Sequence, residues 1–349
     1  MKGRPTLADV AKAAGVTPGA VSLILRESGR FSDITRQRVK RAAARLKYRP
    51  NPILASYKTG KFRGDASANA VPIAFVSRHY LSKQRASEPV GGAVTLPGEA
   101  RARALGYQMQ GFDLGDYDNP MRLGDILYAR GVRGVILGQL YGWQELPDLG
   151  WQRFACVCLS RPFFKVPFDV VRDRIVETMT AAFEEVRRRG YERIGFDVQI
   201  HRSWGALHPD DKARMAAALY CQHQQPRRLR LPIHQGRASE EGSFLDWVRN
   251  QKPDVVIASL GARREHLQRG GYRVPQDLAF VALQIRNNEA AIESGFLVRR
   301  AIDGEKAVEI LDHHIRHNLI GPRQDPMEHL AYHPWNEGAS LPDRAGSER

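Results

Sequence analysis

The sequence predicts a small all-α head followed by a larger α/β body of two doubly wound subdomains. Charge placement and a change of hydrophobic period carry that reading. The chain has 349 residues, with Lys+Arg 53 against Asp+Glu 38 and a net charge of +15. Residues 1–64 hold fifteen of the basic residues and only three acids (Asp9, Glu27, Asp33), a net +12, which leaves +3 for the other 285 residues. A basic balance alone fits nucleic acid, an anionic membrane or a diffusely basic surface. Its confinement to one end points to a dedicated basic module. Over the first fifty residues apolar positions recur every three to four; after residue 70 short apolar runs alternate with amphipathic stretches.

In the head, "TLADVAKAAG" (6–15) reads as a helix capped by Thr6. Asp9 lies in its first turn, and Leu7, Val10, Ala11 and Ala14 share one face. Gly15 suits the left-handed residue after a helix, Thr17 is an N-cap, and Pro18 fits the first helical position, where its missing N–H costs nothing. The second helix, "PGAVSLIL", turns Val21 and Ile24 inward together with Val16. A third, "SDITRQRVKRAAARLKY", is capped by Ser32 and aligns Val39, Ala42, Ala43 and Leu46, with Arg36, Lys40, Arg41 and Lys47 elsewhere. The tight turn between the first two is a helix-turn-helix geometry. In "YRPNPILASYKTG", Pro50 and Pro52 end the third helix and Asn51 can cap a short fourth one, with Leu54 and Tyr57 on one face. A helix so short needs something to fold against. "KFRGDASANA" (61–70) is a small polar linker.

In the body, strands are expected at 71–77, 107–112, 134–138 and 154–159, and again at 193–198, 229–233, 254–259 and 278–283. Helical stretches between them argue for two parallel sheets with a cleft between. Cys156, Cys158 and Cys221 are too few for a disulfide framework or a four-ligand zinc site, and the first two read as small core residues of one strand. No apolar run approaches a membrane span and no signal-peptide core follows the start, so a reducing cytoplasm is expected and no membrane partner. His313 and His317 have a metal-capable spacing but no HExxH context, and are expected on an exposed helix surface. Asp113, Asp116 and Asp118 lack calcium-loop spacing and are expected in a strand-to-helix loop at the cleft. No phosphate fingerprint, cofactor motif, metal set or nucleophile–base pair is found, so neither a cofactor nor an enzyme activity is expected.

The stretches "TLADVAKAAGVTPGAVSLIL" and "TRQRVKRAAARLKYRPNP", with the segment to Gly60, resemble the LacI/GalR family of transcription regulators. In the body "RGVRGVILG", "RRGYERIGF" and "GYRVPQDLAFVAL" are similar to the family's periplasmic-binding-protein-like sensor. The resemblance implies a helix-turn-helix domain at 1–49, a hinge helix at 50–60, a linker at 61–70, an effector-sensing and dimerisation domain at 71–335 and a tail at 336–349. It implies a cytoplasmic homodimer, most simply a repressor, on double-stranded, pseudo-palindromic operator DNA. Two hinge helices would push an apolar side chain into the minor groove.

Residue by residue, the family's base-reading positions fall on Pro18, Gly19 and Leu23, and its phosphate-holding positions on Thr6, Thr17 and Ser22. The minor-groove wedge aligns with Tyr57, with Leu54 one turn earlier as the alternative; Asn51 and Lys58 complete the DNA-contacting set. In the cleft, Asp211 stands where many members carry a sugar-clamping Arg, Ser259 where they carry an Asn-Asp pair, and Gln284 where they carry a paired Asp. A sugar effector held in the family's usual way is therefore not expected. Another small-molecule effector, no effector at all, and a solute-binding sensor that has lost DNA binding remain open.

Overall fold

The computed structural model describes residues 7–25, 31–46, 70–78, 96–140, 143–203, 206–237, 239–259, 261–285, 289–297 and 300–344. The chain divides into two units, 1–69 and 70–349.

The first unit contains helices α1 (Leu7–Ala14), α2 (Pro18–Leu25) and α3 (Asp33–Arg45). Gly15, at φ +62°, makes the turn after α1 in the left-handed conformation that glycine adopts without steric cost. Thr17 Oγ1 accepts the Ala20 amide at 3.2 Å and caps α2, which begins at Pro18. Ser32 Oγ accepts the Thr35 amide at 3.4 Å at the start of α3. Val10, Ala11, Ala14, Val21, Ile24, Val39, Ala42 and Ala43 form the shared core, with Val16, Phe31 and Leu46 packed against it. Small side chains let three short helices approach closely enough to exclude water. Thr6 and the whole expected hinge, with Asn51, Leu54, Tyr57 and Lys58, lie outside the described residues.

The second unit is built on two sheets. The first subdomain carries β1 (Val71–Arg78), α4 (Glu99–Ala104), β2 (Tyr107–Asp113), α5 (Pro120–Ala129), β3 (Gly134–Leu140), β4 (Ala155–Leu159) and β5 (Asp169–Asp173). The second carries α6 (Ile175–Arg188), β6 (Ile194–Gln199), a hairpin of β7 (Arg202–Ser203) and β8 (Ala206–Leu207), and α7 (Pro209–His223). It continues through β9 (His234–Gly236), α8 (Glu241–Gln251), β10 (Val255–Ala258), α9 (Ala262–Arg269), β11 (Ala279–Ile285) and β12 (Ser294–Leu297). The chain then returns: α10 (Arg300–Arg316) packs on β3, β4 and β5, and β13 (Glu328–Ala331) joins the first sheet, before β14 (Trp335–Asn336) joins the second.

Strand orders are β13-β5-β4-β3-β1-β2 and β14-β12-β11-β10-β6-β9, the same winding twice. All pairings within the two sheets are parallel except β12 with β14. Helices on both faces bury the central strands, which is why "ACVCL" and "VVIA" read as unbroken apolar runs.

Two expectations are corrected. Each sheet has six strands, not four, because β5, β12, β13 and β14 are too short or too polar to show as apolar runs. The strand expected at 229–233 is not one: Arg227–Leu229 is a 3₁₀ turn and pairing starts at His234. Pro232 has no amide to give a ladder, its carbonyl accepts Trp247 Nε1 at 2.7 Å, and the Leu231 carbonyl accepts the Gln222 side chain.

Residues 336–344, expected as a tail, are part of the second subdomain. Leu341 is 1% exposed among the α6 and β6 core residues, Ser340 Oγ donates to the Phe280 carbonyl at 2.7 Å, and the buried Arg189 guanidinium binds the Leu341 carbonyl and Glu337. Leu341→Ala should therefore cost about 2–4 kcal/mol of stability. Denaturant unfolding checks this, and a change under 1 kcal/mol would show that the segment merely rests on the surface.

Candidate nucleic-acid interface and ligand cleft

On α2 the inward face is spent on the core: Val21 and Ile24 are fully buried. The outward face presents Thr17, Pro18 and Gly19, all exposed, and Leu23, 44% exposed. The helix carries no charged residue. Among the described residues of this unit the exposed cations lie on the flanking helices, Lys12 on α1 and Arg38, Lys40, Arg41 and Arg45 on α3. The structure thus groups Pro18, Gly19 and Leu23 on one smooth, neutral surface; the Ser22 side chain lies outside the described residues. Gly19 needs neither an unusual φ nor space inside the fold, since an added Cβ would meet only Thr17 Oγ1, at 4.0 Å. A helical glycine costs roughly 0.5–1 kcal/mol relative to alanine. Among the described residues nothing packs against Gly19 that a larger side chain would displace.

In the second unit the carboxyl ends of both sheets line one cavity of about 400 Å³. Parallel sheets place their ligand crevices there, beyond the last ladder bonds. One wall comes from the ends of β3, β4 and β5: Leu140, Leu159, Ser160, Arg161, Arg172 and Asp173, with Phe163 from the loop after β4. The other comes from the ends of β6, β10 and β11 (Gln199, Ser259, Gln284) and from the start of α7 (Asp210, Asp211, Arg214). Asp211, Ser259 and Gln284 are therefore brought together in one cavity.

Their polar atoms are engaged within the fold. Asp211 Oδ2 accepts the His201 amide at 2.7 Å and its ring Nδ1 at 3.0 Å, while Oδ1 accepts Arg214 Nη1 at 2.7 Å. Burial would raise the Asp211 carboxyl, but the His201 bonds and the Arg214 charge outweigh it and hold it below the usual carboxylate range. Ser259 Oγ accepts the Gln199 amide at 3.1 Å and donates to the Asp197 carbonyl at 3.3 Å. Gln284 Nε2 donates across the cleft to Asp173 Oδ2 at 3.2 Å.

Residues that motif reading did not single out are better placed to meet a ligand. Asp210 Oδ1 and Arg161 Nε, on opposite walls, are buried and have no hydrogen-bond partner among the described residues. Burial raises the Asp210 carboxyl and lowers the adjacent His208 imidazole, whose ring stands perpendicular to Phe163 across the cleft at 4.7 Å. Arg161 and Arg172 share one carboxylate, Glu328, at 2.7 Å each. The one sequence signal available was the acidic pair Asp210-Asp211 just after the helix start; both line the cavity, and which of the two is bonded into the fold depends on the turn into α7.

At the back of the cleft, His333 Nε2 donates to Asp173 Oδ1 at 3.0 Å and lies 3.8 Å from Asp303 Oδ1. Burial would lower the His333 imidazole, yet the Asp173 bond and the two carboxylate charges raise it.

The remaining motifs fall as follows. His313 is exposed on α10, as expected, but His317 is exposed in the turn just after that helix ends at Arg316, and His314 between them is buried and bonded to Asp169 at 3.1 Å. Asp113, Asp116 and Asp118 do not reach the cavity: β2 is an edge strand, remote from where the sheets meet, and Asp113 Oδ1 instead accepts the Gly115 amide at 2.9 Å in a 3₁₀ turn. Burial pushes the Cys158 and Cys221 thiols up to about 12, which leaves them inert core residues. No helix is long and apolar enough to cross a membrane among the described residues.

Residues 6–51 match the family described as "Bacterial regulatory proteins, lacI family". The HTH-type transcriptional regulator DegA of Bacillus subtilis (strain 168) is 27% identical over 190 residues, 53% of this chain and 51% of its own length. The HTH-type transcriptional regulator MalR of Streptococcus pneumoniae is 46% identical over 46 residues, 13% of this chain and 14% of its own. The chain thus spans about half the length of one of these relatives and 14% of the other. Among solved structures, a complex of the transcriptional regulator CelR with cellobiose has a TM-score of 0.55 at 21% identity, covering 97% of this chain and 100% of that one. A lac repressor dimer bound to operator and the anti-inducer ONPF has a TM-score of 0.55 at 16% identity, covering 97% and 99%. At these identities the two structures establish the shared fold: helix-turn-helix helices and a two-subdomain, periplasmic-binding-protein-like body.

The Asp211 cluster yields a pH signature. A carboxyl held low in the folded state contributes stability above its unfolded value, near 4, and loses that contribution as pH falls through the folded value. Asp211→Asn should lower the melting temperature at pH 7, with the gap to the unmodified chain closing below about pH 4. A gap that persists unchanged at pH 3 would show that the carboxylate charge is not what His201 and Arg214 hold.

Proposed function

We propose, from the lacI-family domain that residues 6–51 constitute, that this chain is a sequence-specific DNA-binding transcription regulator. It represses by gripping a pseudo-palindromic operator as a homodimer in the cytoplasm, and answers to a small molecule in the cleft. The observation that carries the reading is the exposed, uncharged face of α2 flanked by cations on α1 and α3. Regulators named DegA, MalR and CelR, and a lac repressor dimer on operator, support it by analogy.

Phosphate contacts from the basic head supply affinity, with Thr6, Thr17 and Ser22 holding the backbone. Pro18, Gly19 and Leu23 offer no side-chain hydrogen bonds, so they read the major groove by close backbone approach and by apolar contact with thymine methyls. The hinge at 50–60, with Asn51, Leu54, Tyr57 and Lys58, supplies the rest of the specificity: Tyr57 (or Leu54) opens a deformable central step, which makes DNA bendability part of the code. In the cleft, an effector that donates to Asp210 and accepts from Arg161 satisfies two buried groups whose isolation costs about 1–3 kcal/mol each. It thereby draws the two walls together, with Asp211, Ser259 and Gln284 holding the frame around it.

Three measurements test this on a duplex selected from a randomised library by the full chain. Removing residues 1–64 should abolish binding in fluorescence anisotropy, and for the intact chain log K should fall linearly with log salt at a slope of about −0.9 per phosphate neutralised. Binding retained by the truncated chain would place the DNA site elsewhere. Gly19→Ala should keep or raise thermal stability yet weaken operator binding at least tenfold, about 1.4 kcal/mol; unchanged affinity would mean that nothing approaches Gly19 closely. Tyr57→Ala should lower the ratio of specific to scrambled-DNA affinity, whereas Lys58→Ala should weaken both alike. If neither Tyr57→Ala nor Leu54→Ala alters that ratio, the hinge is only a linker.

A further inference from the structure

The chain passes between the two subdomains three times, and one residue from each passage meets the others at a single point. Asp173 ends β5, two residues before α6 opens the second subdomain. Asp303 stands in the first turn of α10, just after the return from β12. His333 lies between β13 of the first sheet and β14 of the second. Its side chain is 3% exposed, with Nε2 at 3.0 Å from Asp173 Oδ1 and 3.8 Å from Asp303 Oδ1. Asp173 Oδ2 in turn accepts Gln284 Nε2 at 3.2 Å, from the end of β11 in the second subdomain. Asp173 and Asp303 also line the cavity.

We propose that His333 is a positioning residue that sets the relative orientation of the two subdomains and couples it to the cleft through Asp173 and Asp303. This rests on reading the cleft as an effector site. Rotation of one subdomain against the other must be absorbed by a few element-terminal residues. Here Asp173 is hydrogen-bonded to the His333 imidazole and the Asp303 carboxylate stands 3.8 Å from the same nitrogen, so one charge cluster joins all three passages. A ligand that engages the Asp173 carboxylate competes with His333 for the same oxygen, and one that engages Asp303 screens the charge that faces the imidazole. Either therefore has the differential affinity for two orientations that a conformational response requires.

The test places spin labels on the full-length chain at Gln108→Cys on β2 and Asn250→Cys on α8. Both positions are exposed and the three native cysteines are buried. Pulsed electron–electron resonance under sparse labelling should give one dominant distance. His333→Ala should add a second population of about a fifth or more, whereas Leu341→Ala, which loosens the second subdomain away from the passages, should leave the distribution unchanged. A single unaltered distance in His333→Ala overturns the proposal. So does the same split in Leu341→Ala, which would assign the effect to general loosening. Asp173, Asp303 and His333 offer ligand atoms within 4.8 Å of one another, so the measurement is repeated with zinc chloride and with EDTA. Both should leave the distance unaltered; a change with zinc that His333→Ala abolishes would make the cluster a metal site instead. Neither operator nor effector enters the measurement, so a chain that failed to bind DNA would sink the reading above and leave this result standing.

Discussion

Parallel strands buried on both faces can offer chemistry only at their ends, and that constraint organises the body of this protein. Each sheet is covered by helices, so its side chains are spent on packing: Val135, Leu137, Cys156 and Cys158 in one, Val255, Ile257, Ala279 and Val281 in the other. Backbone groups and polar side chains become available where the ladder stops. Because the chain crosses between the sheets at the carboxyl ends of β5 and β12, those ends face one another and the polar residues beyond them share one cleft. The cleft follows from the winding.

Charge inside this frame is handled by pairing. Asp197 binds His234 at 2.6 Å and Arg263 at 3.0 Å, and Asp169 gathers His314 and Arg323. Such clusters are expensive to break, because removing one partner leaves a buried charge without compensation. They tie the elements of each subdomain to one another. Asp210 and Arg161 follow a different rule, with one polar atom each held out of the internal network.

The head solves a smaller problem with fewer means. Its core is largely alanine and valine, sufficient to lock three short helices but modest in apolar area. Keeping side chains small on the inside brings the helices close, and α2 carries no charged residue on the outside that could form a salt bridge. The exposed cations described in the head stand on α1 and α3, apart from the uncharged face of Pro18, Gly19 and Leu23.

Where local chemistry decides the outcome, the sequence was sufficient. Gly15, Thr17, Pro18 and Ser32 act through the backbone groups of their own turns, so the head's helices and core could be read in order. The central strands of each sheet were legible for a related reason: burial on both faces demands apolar runs. Edge strands were not, because β13 and β14 need only partners for their backbone and place few demands on side chains. Nor could the sequence decide between Asp210 and Asp211, adjacent and chemically alike. Both line the cavity, but His201 and Arg214 engage the Asp211 carboxylate, while Asp210 Oδ1 keeps no hydrogen-bond partner among the described residues. The meeting of Asp173, Asp303 and His333 lay furthest from view, since residues 130 and 30 positions apart in the chain converge only when both sheets are wound and joined. Local capping and periodicity determined the elements of this protein; the pairing of distant charges, which depends on three-dimensional distance alone, was left to the tertiary structure.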